Sequence, residues 1–334
     1  MILLLIYAAI LWSAIYYTVR YFRELQLIDG AYKKAVLITG CDSGFGNGLA
    51  KRCMEHGMTV FASCTTDEGR KLLTEECRSM NGQLHAFLMD VTSDEDVEKT
   101  RQFIEDTVGP AGLHAIVNNA GIAGEFVWDE WQPVEHYRKL FEVDTLGVIR
   151  VTHKFRNMLK KSRGRIVNVT SSFSVCAPAQ IGPYAVAKYG VEAFSDTIRR
   201  EYAIHGISVH IVEPGFLRTP MNVVENGLRN IQRAWDRQPE EVKRDFGEEF
   251  FKYTQDTTRI RYGFGSDPKI VVDAYFHALT AKHPRTRYRP GIDAKLFYIP
   301  SAHLPTLLQD WWFQMHPAYR VMTPKECKKK YSAF

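Results

Sequence analysis

A tyrosine and a lysine four residues apart carry the most specific chemistry in this sequence. Tyr184 and Lys188 lie in the run PYAVAK, and no other tyrosine of the 334-residue chain has a lysine four positions later. Residues at this spacing share one face of a helix. A free phenol, with a pKa of about 10, is a poor base near neutral pH, but a neighbouring ammonium lowers that pKa. The pair therefore predicts proton transfer by Tyr184, with Lys188 favouring the phenolate.

A serine at the end of a predicted strand completes this set. Ser171 precedes Tyr184 by 13 residues and could hold the oxygen of a substrate. The alternative is a helix-surface Tyr–Lys pair beside an unrelated serine. The three residues together favour transfer of a proton to or from a substrate oxygen.

A glycine-rich turn predicts a site for a dinucleotide. The run TGCDSGFG places Gly40, Gly44 and Gly46 between the first predicted strand and a helix. Glycines in such a turn let the backbone approach a pyrophosphate, whose charge is met by the helix N-terminus. A plain glycine-rich loop is the alternative interpretation.

Alternating strands and helices would position these residues. The predicted strands are 35–39, 59–63, 84–89, 113–118, 165–170 and 207–212, with a seventh at 285–291. Helical patterns lie between them, for example at 67–80, 94–108, 133–161 and 182–204. Nearly continuous apolar strands are typical of parallel sheets covered on both faces. The pattern predicts an α/β fold with a single doubly wound, Rossmann-type parallel sheet.

The first 24 residues form a separate unit in this prediction. Residues 1–19 contain no charged residue, and Arg20 and Arg23 follow at once. A helix of about 20 apolar residues matches the thickness of a bilayer core. We therefore expect an N-terminal transmembrane helix at 1–24, with a cleaved signal peptide and a core helix as alternatives. The positive-inside rule favours a cytosolic body at 25–334.

The rest of the sequence argues against several functions. A net charge of +5, with lysine and arginine spread along the chain, argues against nucleic-acid binding. The six cysteines show no CxxC pair or zinc-type spacing, and the histidines form no HExxH motif, so no metal is assigned. Residues 216–265 interrupt the alternation and are expected to cover a substrate. The tail at 292–334 contains an apolar stretch, 296–315, that either lies on a membrane or closes over the substrate.

The sequence resembles the short-chain dehydrogenase/reductase family over roughly residues 33–290. The resemblance rests on TGCDSGFG, NNAG (118–121), the Ser171, Tyr184 and Lys188 set, and EPGFLRTP (213–220). The runs EAFSDTIRREYAIHGISVHIVEPGFLRTPM and HALTAKHPRTRYRPGIDAKL look like the branch of retinol and 17β-hydroxysteroid dehydrogenases. An N-terminal apolar anchor is usual in that branch. Mitochondrial 3-hydroxybutyrate dehydrogenase is a nearby relative.

The resemblance implies a role for each matching residue. Ser171 would orient the substrate oxygen, Tyr184 would transfer the proton, and Lys188 would bind the cofactor ribose. The implied cofactor-binding residues, besides Tyr184 and Lys188, are Gly40, Ser43, Gly44, Phe45, Gly46, Asp90, Val91, Asn118, Ala120, Gly121, Pro214, Gly215 and Thr219. The expected reaction is hydride transfer between a nicotinamide and a lipophilic alcohol or ketone, retinol or hydroxysteroid.

One residue departs from the family pattern. The family's catalytic asparagine falls on Asp144, in the run VDTLG. An aspartate there could keep the backbone carbonyl in place, but it adds a negative charge near Lys188 or is protonated if buried. Because of Asp144, a catalytically weak protein that binds lipid or cofactor is an alternative to the enzyme. A second alternative, which concerns the substrate, is an enzyme similar to 3-hydroxybutyrate dehydrogenase.

The cofactor is expected to be NAD rather than NADP. After the second strand, no basic residue occurs before Arg70, and Asp42 would repel a 2′-phosphate. The strand also lacks the acidic residue that usually binds the ribose, so the preference should be moderate. The expected location is the membrane of the endoplasmic reticulum. A homodimer is compatible with the sequence.

Overall fold

A seven-stranded parallel sheet organises the body of the protein. The computed structural model describes residues 1–219, 222–263 and 265–331. The strands are β1 (Ala35–Ile38), β2 (Thr59–Cys64), β3 (Gln83–Leu88), β4 (Ala115–Asn118), β5 (Arg165–Val169), β6 (Ser208–Val212) and β7 (Arg287–Tyr288). Their order is β3-β2-β1-β4-β5-β6-β7, and every neighbouring pair is parallel. The predicted α/β fold with one parallel sheet is confirmed, although β7 is only two residues long.

Helices follow the strands along the chain. They are α1 (Ile2–Glu24), α2 (Gly44–Glu55), α3 (Asp67–Glu76), α4 (Asp94–Val108), α5 (Val134–Leu140), α6 (Gly147–Ser162), α7 (Gly182–Glu201), α8 (Val224–Asp236), α9 (Glu240–Phe246), α10 (Glu248–Gly263), α11 (Lys269–Thr280), α12 (Ile299–Ser301), α13 (Thr306–Met315) and α14 (Pro324–Tyr331). Pro220 and Met221, which end the quoted motifs, lie outside the described residues, as do 264 in the covering segment and 332–334 in the tail.

The sheet is buried on both faces. In β1, the side chains of Val36 and Ile38 pack into a core with α2 and α11. Leu37, between them, packs into a second core with α4 and α6. Side chains that alternate between two apolar cores explain why the strands are almost continuously apolar in sequence.

The long predicted helix at 133–161 is interrupted. The chain forms α5, then a π-helical segment at Phe141–Leu146, then α6. The hydroxyl of Thr145, inside that segment, donates to the carbonyl of Ala187 in α7 at 2.8 Å. The π-helical segment thus brings Asp144 and Thr145 against the helix that carries Tyr184. Such insertions are frequent at functional sites.

The N-terminal helix α1 is joined to the body at its carboxyl end. Glu24 accepts a hydrogen bond from Arg285 Nε at 2.7 Å, and the amide of Ile28 donates to Thr280 at 2.8 Å. Across the part of the chain that the structure describes, no helix is both long and apolar enough to cross a bilayer. The predicted transmembrane span therefore stays a prediction.

The two segments expected near the substrate both pack beside the carboxyl edge of the sheet. Within 216–265, Phe216 and Tyr262 stack edge to face with ring centres 5.4 Å apart. In the tail, buried Phe313 of α13 joins the aromatic cluster that contains Phe173 and the partly buried Tyr184. The opposite side of α13 exposes Leu307, Leu308, Trp311 and Met315.

Candidate active site

A cleft of about 930 Å³ opens at the carboxyl edge of the sheet. It lies where the strand order reverses between β1 and β4, the position at which doubly wound folds bind ligands. One end is lined by the glycine turn after β1, and the other by Ser171, Tyr184 and Phe216. The cleft thus joins the predicted cofactor loop to the predicted proton-transfer residues.

The glycine turn leaves room for a ligand beside its backbone. Gly44 has φ +65°, and a Cβ placed there would meet nothing within 4 Å, so the backbone borders open space. Gly40 has φ +71°, and a Cβ there would lie 2.8 Å from Cα of Ala120. The side-chain amide of Asn119 donates to the carbonyls of Thr39 and Gly40 at 2.9 and 3.0 Å. A positive φ and open space at the start of α2 suit the close approach of a pyrophosphate.

Tyr184, Lys188 and Asp144 meet in the buried part of the cleft. The Lys188 ammonium lies 3.0 Å from Asp144 Oδ2 and 5.6 Å from the centre of the Tyr184 ring. The side chains of Lys188 and Asp144 are 5% and 0% exposed. The other carboxylate oxygen of Asp144 accepts from the amide of Ile122 at 2.8 Å. The lysine that should tune Tyr184 is therefore also the partner of a buried carboxylate.

This ion pair changes the electrostatics expected for Tyr184. Burial raises the pKa of the phenol, Lys188 lowers it, and the Asp144 carboxylate raises it again, so the net pKa lies above the ordinary value. Burial also lowers the pKa of Lys188, but Asp144 and Tyr184 together more than offset this and the net pKa is raised. The predicted direction of the Lys188 contribution is confirmed, but burial and Asp144 together outweigh it. The aspartate, where the family has an asparagine, offsets part of the ammonium's charge.

Ser171 lies directly after β5, beside Tyr184. Its hydroxyl oxygen accepts from the amide of Phe173 at 3.1 Å. A hydrogen bond from Ser171 also lowers the pKa of Tyr184, although less than burial raises it. The rings of Phe126 and Phe173 flank Tyr184 edge to face, with centres 5.5 and 6.5 Å from that of the tyrosine. A substrate oxygen at Ser171 and Tyr184 would therefore lie in an apolar, aromatic surround.

Most predicted cofactor residues line the cleft, and two lie behind it. The lining ones, besides Tyr184 and Lys188, are Gly40, Ser43, Gly44, Phe45, Asp90, Val91, Ala120, Gly121, Pro214, Gly215 and Thr219. A Cβ on Gly46 would lie 2.4 Å from the carbonyl oxygen of Gly40, so this glycine allows close packing of the turn. The side-chain amide of Asn118 donates to the Thr152 hydroxyl at 3.0 Å and to Asn168 Oδ1 at 2.8 Å, and so links β4 to α6 and β5.

Asp42 is a lining residue whose contacts were not predicted from the sequence. Its carboxylate accepts from the backbone amides of Thr65 and Thr66 and from the Thr66 hydroxyl, at 2.7–3.1 Å. Burial opposes these hydrogen bonds, but the net pKa of Asp42 is lowered. A fixed negative charge thus lies at the end of β2. The sequence placed Asp42 near the cofactor but carried no signal for this contact between two loops.

Comparison with known proteins identifies the family. The model of the short chain dehydrogenase family matches residues 34–227. The chain belongs to this family. Retinol dehydrogenase 7 of Mus musculus is 40% identical over 306 residues, which cover 90% of this chain and 94% of the relative. The 17-beta-hydroxysteroid dehydrogenase type 6 of Mus musculus is 40% identical over 299 residues, covering 89% and 93%.

A further relative and a solved structure agree. Short-chain dehydrogenase/reductase family 9C member 7 of Homo sapiens is 41% identical over 293 residues, covering 87% of this chain and 92% of the relative. The crystal structure of levodione reductase has a TM-score of 0.64 at 20% identity, covering 79% of this chain and 98% of that one, which supports the fold. The predicted resemblance to the retinol and hydroxysteroid branch is confirmed. The protein is an oxidoreductase of that family, whose enzymes use a nicotinamide dinucleotide.

Proposed function

We propose that this protein is an NAD-dependent dehydrogenase that interconverts an alcohol and a ketone or aldehyde on a retinoid or a hydroxysteroid. One observation carries the proposal. The Tyr184 phenol lies in one cleft with the glycine turn and Ser171, and within reach of the Lys188 charge. The cleft therefore brings together what alcohol oxidation needs: a place for the cofactor, a proton acceptor and a group that orients the substrate.

The chain's own residues would divide the work as follows. The turn at Gly40 and Gly44 would hold the pyrophosphate, Lys188 the ribose, and Gly215 the nicotinamide end. The bound nicotinamide supplies the hydride acceptor or donor. In the oxidative direction, Tyr184 takes the hydroxyl proton while Ser171 holds that oxygen. Holding the substrate in register with the cofactor accounts for much of the rate.

Apolar walls favour a lipophilic substrate. Phe126, Phe173 and Phe216 line the end of the cleft nearest Tyr184, and Leu217 lies beside them. We infer that residues 216–265 cover the substrate and that the tail at 292–334 closes the same end. The names of the relatives, retinol dehydrogenase and 17-beta-hydroxysteroid dehydrogenase, point to the same class of substrate.

A short hydroxy acid is a second candidate, because Lys139 also lines the cleft. Its ammonium could meet a substrate carboxylate, whereas Lys188 is already paired with Asp144. The aromatic walls make this the weaker proposal, since a short acid would leave them in contact with water.

The charges near β2 favour NAD over NADP. The Asp42 carboxylate occupies the amides at the end of β2 that could otherwise receive a phosphate. The first basic residues after β2 in the sequence, Arg70 and Lys71, both pair with Asp67, at 2.6 Å each. A 2′-phosphate would therefore meet the Asp42 carboxylate at this position, with Arg70 and Lys71 already paired.

We further propose that α1 attaches the protein to the membrane of the endoplasmic reticulum, with residues 25–334 as the cytosolic body. Among the side chains of α1 that the structure describes, large apolar ones are exposed along its length, including Leu4, Ile10, Leu11, Trp12, Ile15 and Tyr17. Such an apolar surface is unfavourable in water and suits a bilayer. Arg20 and Arg23 follow it, in the position that the positive-inside rule assigns to cytosolic residues.

The substrate proposal is tested with membranes from cells that express the full chain. NADH fluorescence is followed with a panel of retinols, 3- and 17-hydroxysteroids and 3-hydroxybutyrate, and Tyr184→Phe serves as the matched control. The proposal expects turnover of a retinol or a steroid that the control lacks. Turnover of 3-hydroxybutyrate alone would support the second candidate instead.

A further inference from the structure

A second buried serine fixes the backbone of Ser171. The Ser174 hydroxyl donates to the carbonyl of Ser171 at 2.6 Å and also lies 3.0 Å from Glu192 Oε2. All three residues are buried. A serine hydroxyl has a single hydrogen to donate. If Glu192 is ionised, the Ser171 carbonyl and the Glu192 carboxylate share this hydrogen. If Glu192 is protonated, it can donate to the Ser174 oxygen, and the Ser174 hydrogen is left for the Ser171 carbonyl.

Glu192 is held from its other side by an ionic network. Arg287 Nη2 of β7 lies 2.7 Å from Glu192 Oε1 and 2.9 Å from Asp196, and its Nε lies 3.0 Å from Glu213. Arg289 Nε completes the pairing of Glu213 at 2.7 Å. Burial and the neighbouring Glu213 carboxylate raise the pKa of Glu192. Arg287 thus fixes one oxygen of Glu192 and opposes this rise in its pKa, which burial and Glu213 cause.

We propose that Glu192 is a positioning residue that acts through Ser174 to hold Ser171 against Tyr184. Ser171 Oγ accepts from the amide of Phe173, so one lone pair is used and its hydrogen stays available to the phenol. That arrangement depends on the backbone of Ser171, which Ser174 holds. Glu192 itself does not line the cleft. The inference rests on the proposed dehydrogenase function.

Three variants separate positioning from general stability. Glu192→Gln keeps an acceptor for Arg287 and can donate to Ser174, whereas Glu192→Leu loses both contacts at similar volume. Asp196→Asn is the matched control, because it weakens the same arginine network without touching Ser174. We expect Glu192→Leu to lower kcat about tenfold through misplacement of Ser171. Its KM for NAD should stay within about twofold, because the cofactor contacts are unchanged.

The comparison of Glu192→Gln with Glu192→Leu tests the positioning role of Glu192. Glu192→Gln and Asp196→Asn should keep kcat within about twofold of the unmodified enzyme, and Ser174→Ala should behave like Glu192→Leu. If Glu192→Gln loses as much kcat as Glu192→Leu, or if Asp196→Asn loses it too, the positioning role is wrong.

A readout without substrate keeps this inference distinct from the proposed function. Ionisation of Tyr184 in the NAD complex is followed by near-ultraviolet tyrosinate absorbance, with the Tyr184→Phe signal subtracted in each background. The titration of Tyr184 should move to higher pH in Glu192→Leu and Ser174→Ala but not in Glu192→Gln, because only the first two lose the Ser171 hydrogen bond. An unmoved titration in all variants overturns the inference. Turnover of none of the substrates overturns only the proposed function.

Discussion

Asp144→Asn should make Tyr184 a better base. The Lys188 ammonium lies 3.0 Å from the Asp144 carboxylate and 5.6 Å from the Tyr184 ring centre, so the carboxylate lies within about 9 Å of that ring. At this separation and an effective dielectric constant of about 20, the carboxylate disfavours the phenolate by about 2 kcal/mol, or roughly 25-fold. Asparagine can still accept from the amide of Ile122, so the local structure should persist.

The assay is the pH dependence of kcat/KM for alcohol oxidation. Removal of a negative charge favours the phenolate, so the pKa of Tyr184 falls and the acid limb moves to lower pH, by about 1.4 pH units. Glu135→Gln, an equal charge change on the exposed surface of α5, should leave the limb in place. An acid limb that stays in place or moves to higher pH in Asp144→Asn would refute the reasoning. Such a result would mean that the Asp144 carboxyl group is already protonated, or that Lys188 is deprotonated once its carboxylate partner is replaced.

Three further predictions follow from the same contacts. Lys188→Ala should lower kcat and weaken NAD binding together, measured by steady-state kinetics and by cofactor fluorescence; a loss confined to one of them would contradict its double role. NAD should give a higher kcat/KM than NADP. Asp42→Ala should lower the ratio of the two kcat/KM values about fivefold, because a partly exposed charge contributes about 1 kcal/mol. If Asp42→Ala and the unmodified protein show the same NAD-to-NADP ratio of kcat/KM, Asp42 does not determine the cofactor preference. Deletion of residues 1–19, which spares the Glu24–Arg285 pair, should release a folded protein from carbonate-washed membranes; retention would place the attachment elsewhere, with the exposed face of α13 as the first candidate.

The fold was predictable because its signals are local. Apolar strands separated by helical patterns predict a parallel sheet, and the β1 run followed by Gly40 and Gly44 predicts the cofactor turn. The predicted strands agree with the structure to within a few residues, except that the seventh, expected at 285–291, shrinks to Arg287–Tyr288. The π-helical segment at Phe141–Leu146 has no comparable signal, since its sequence reads as one helix with its neighbours.

The site was predictable as a set of residues but not in its electrostatics. Spacing along the chain relates Tyr184 to Lys188, because both lie on one helix. It does not reveal that Asp144 reaches Lys188 from another element, and this contact helps to keep the pKa of Tyr184 above its ordinary value. The contacts of Glu192 with Ser174 and Arg287 also join elements far apart in sequence. Interactions of this kind depend on tertiary packing, which periodicity and motif spacing do not encode.

The central claim is that Tyr184 transfers the proton, and Tyr184→Phe tests it most directly. The substitution removes one oxygen and keeps the ring that packs against Phe126 and Phe173. Turnover and NADH binding are measured on the same full-length preparation. The account predicts that kcat falls by at least about a hundredfold, the usual contribution of general acid–base catalysis, while NADH affinity stays within about twofold. A Tyr184→Phe enzyme that retains most of its kcat would contradict the mechanism.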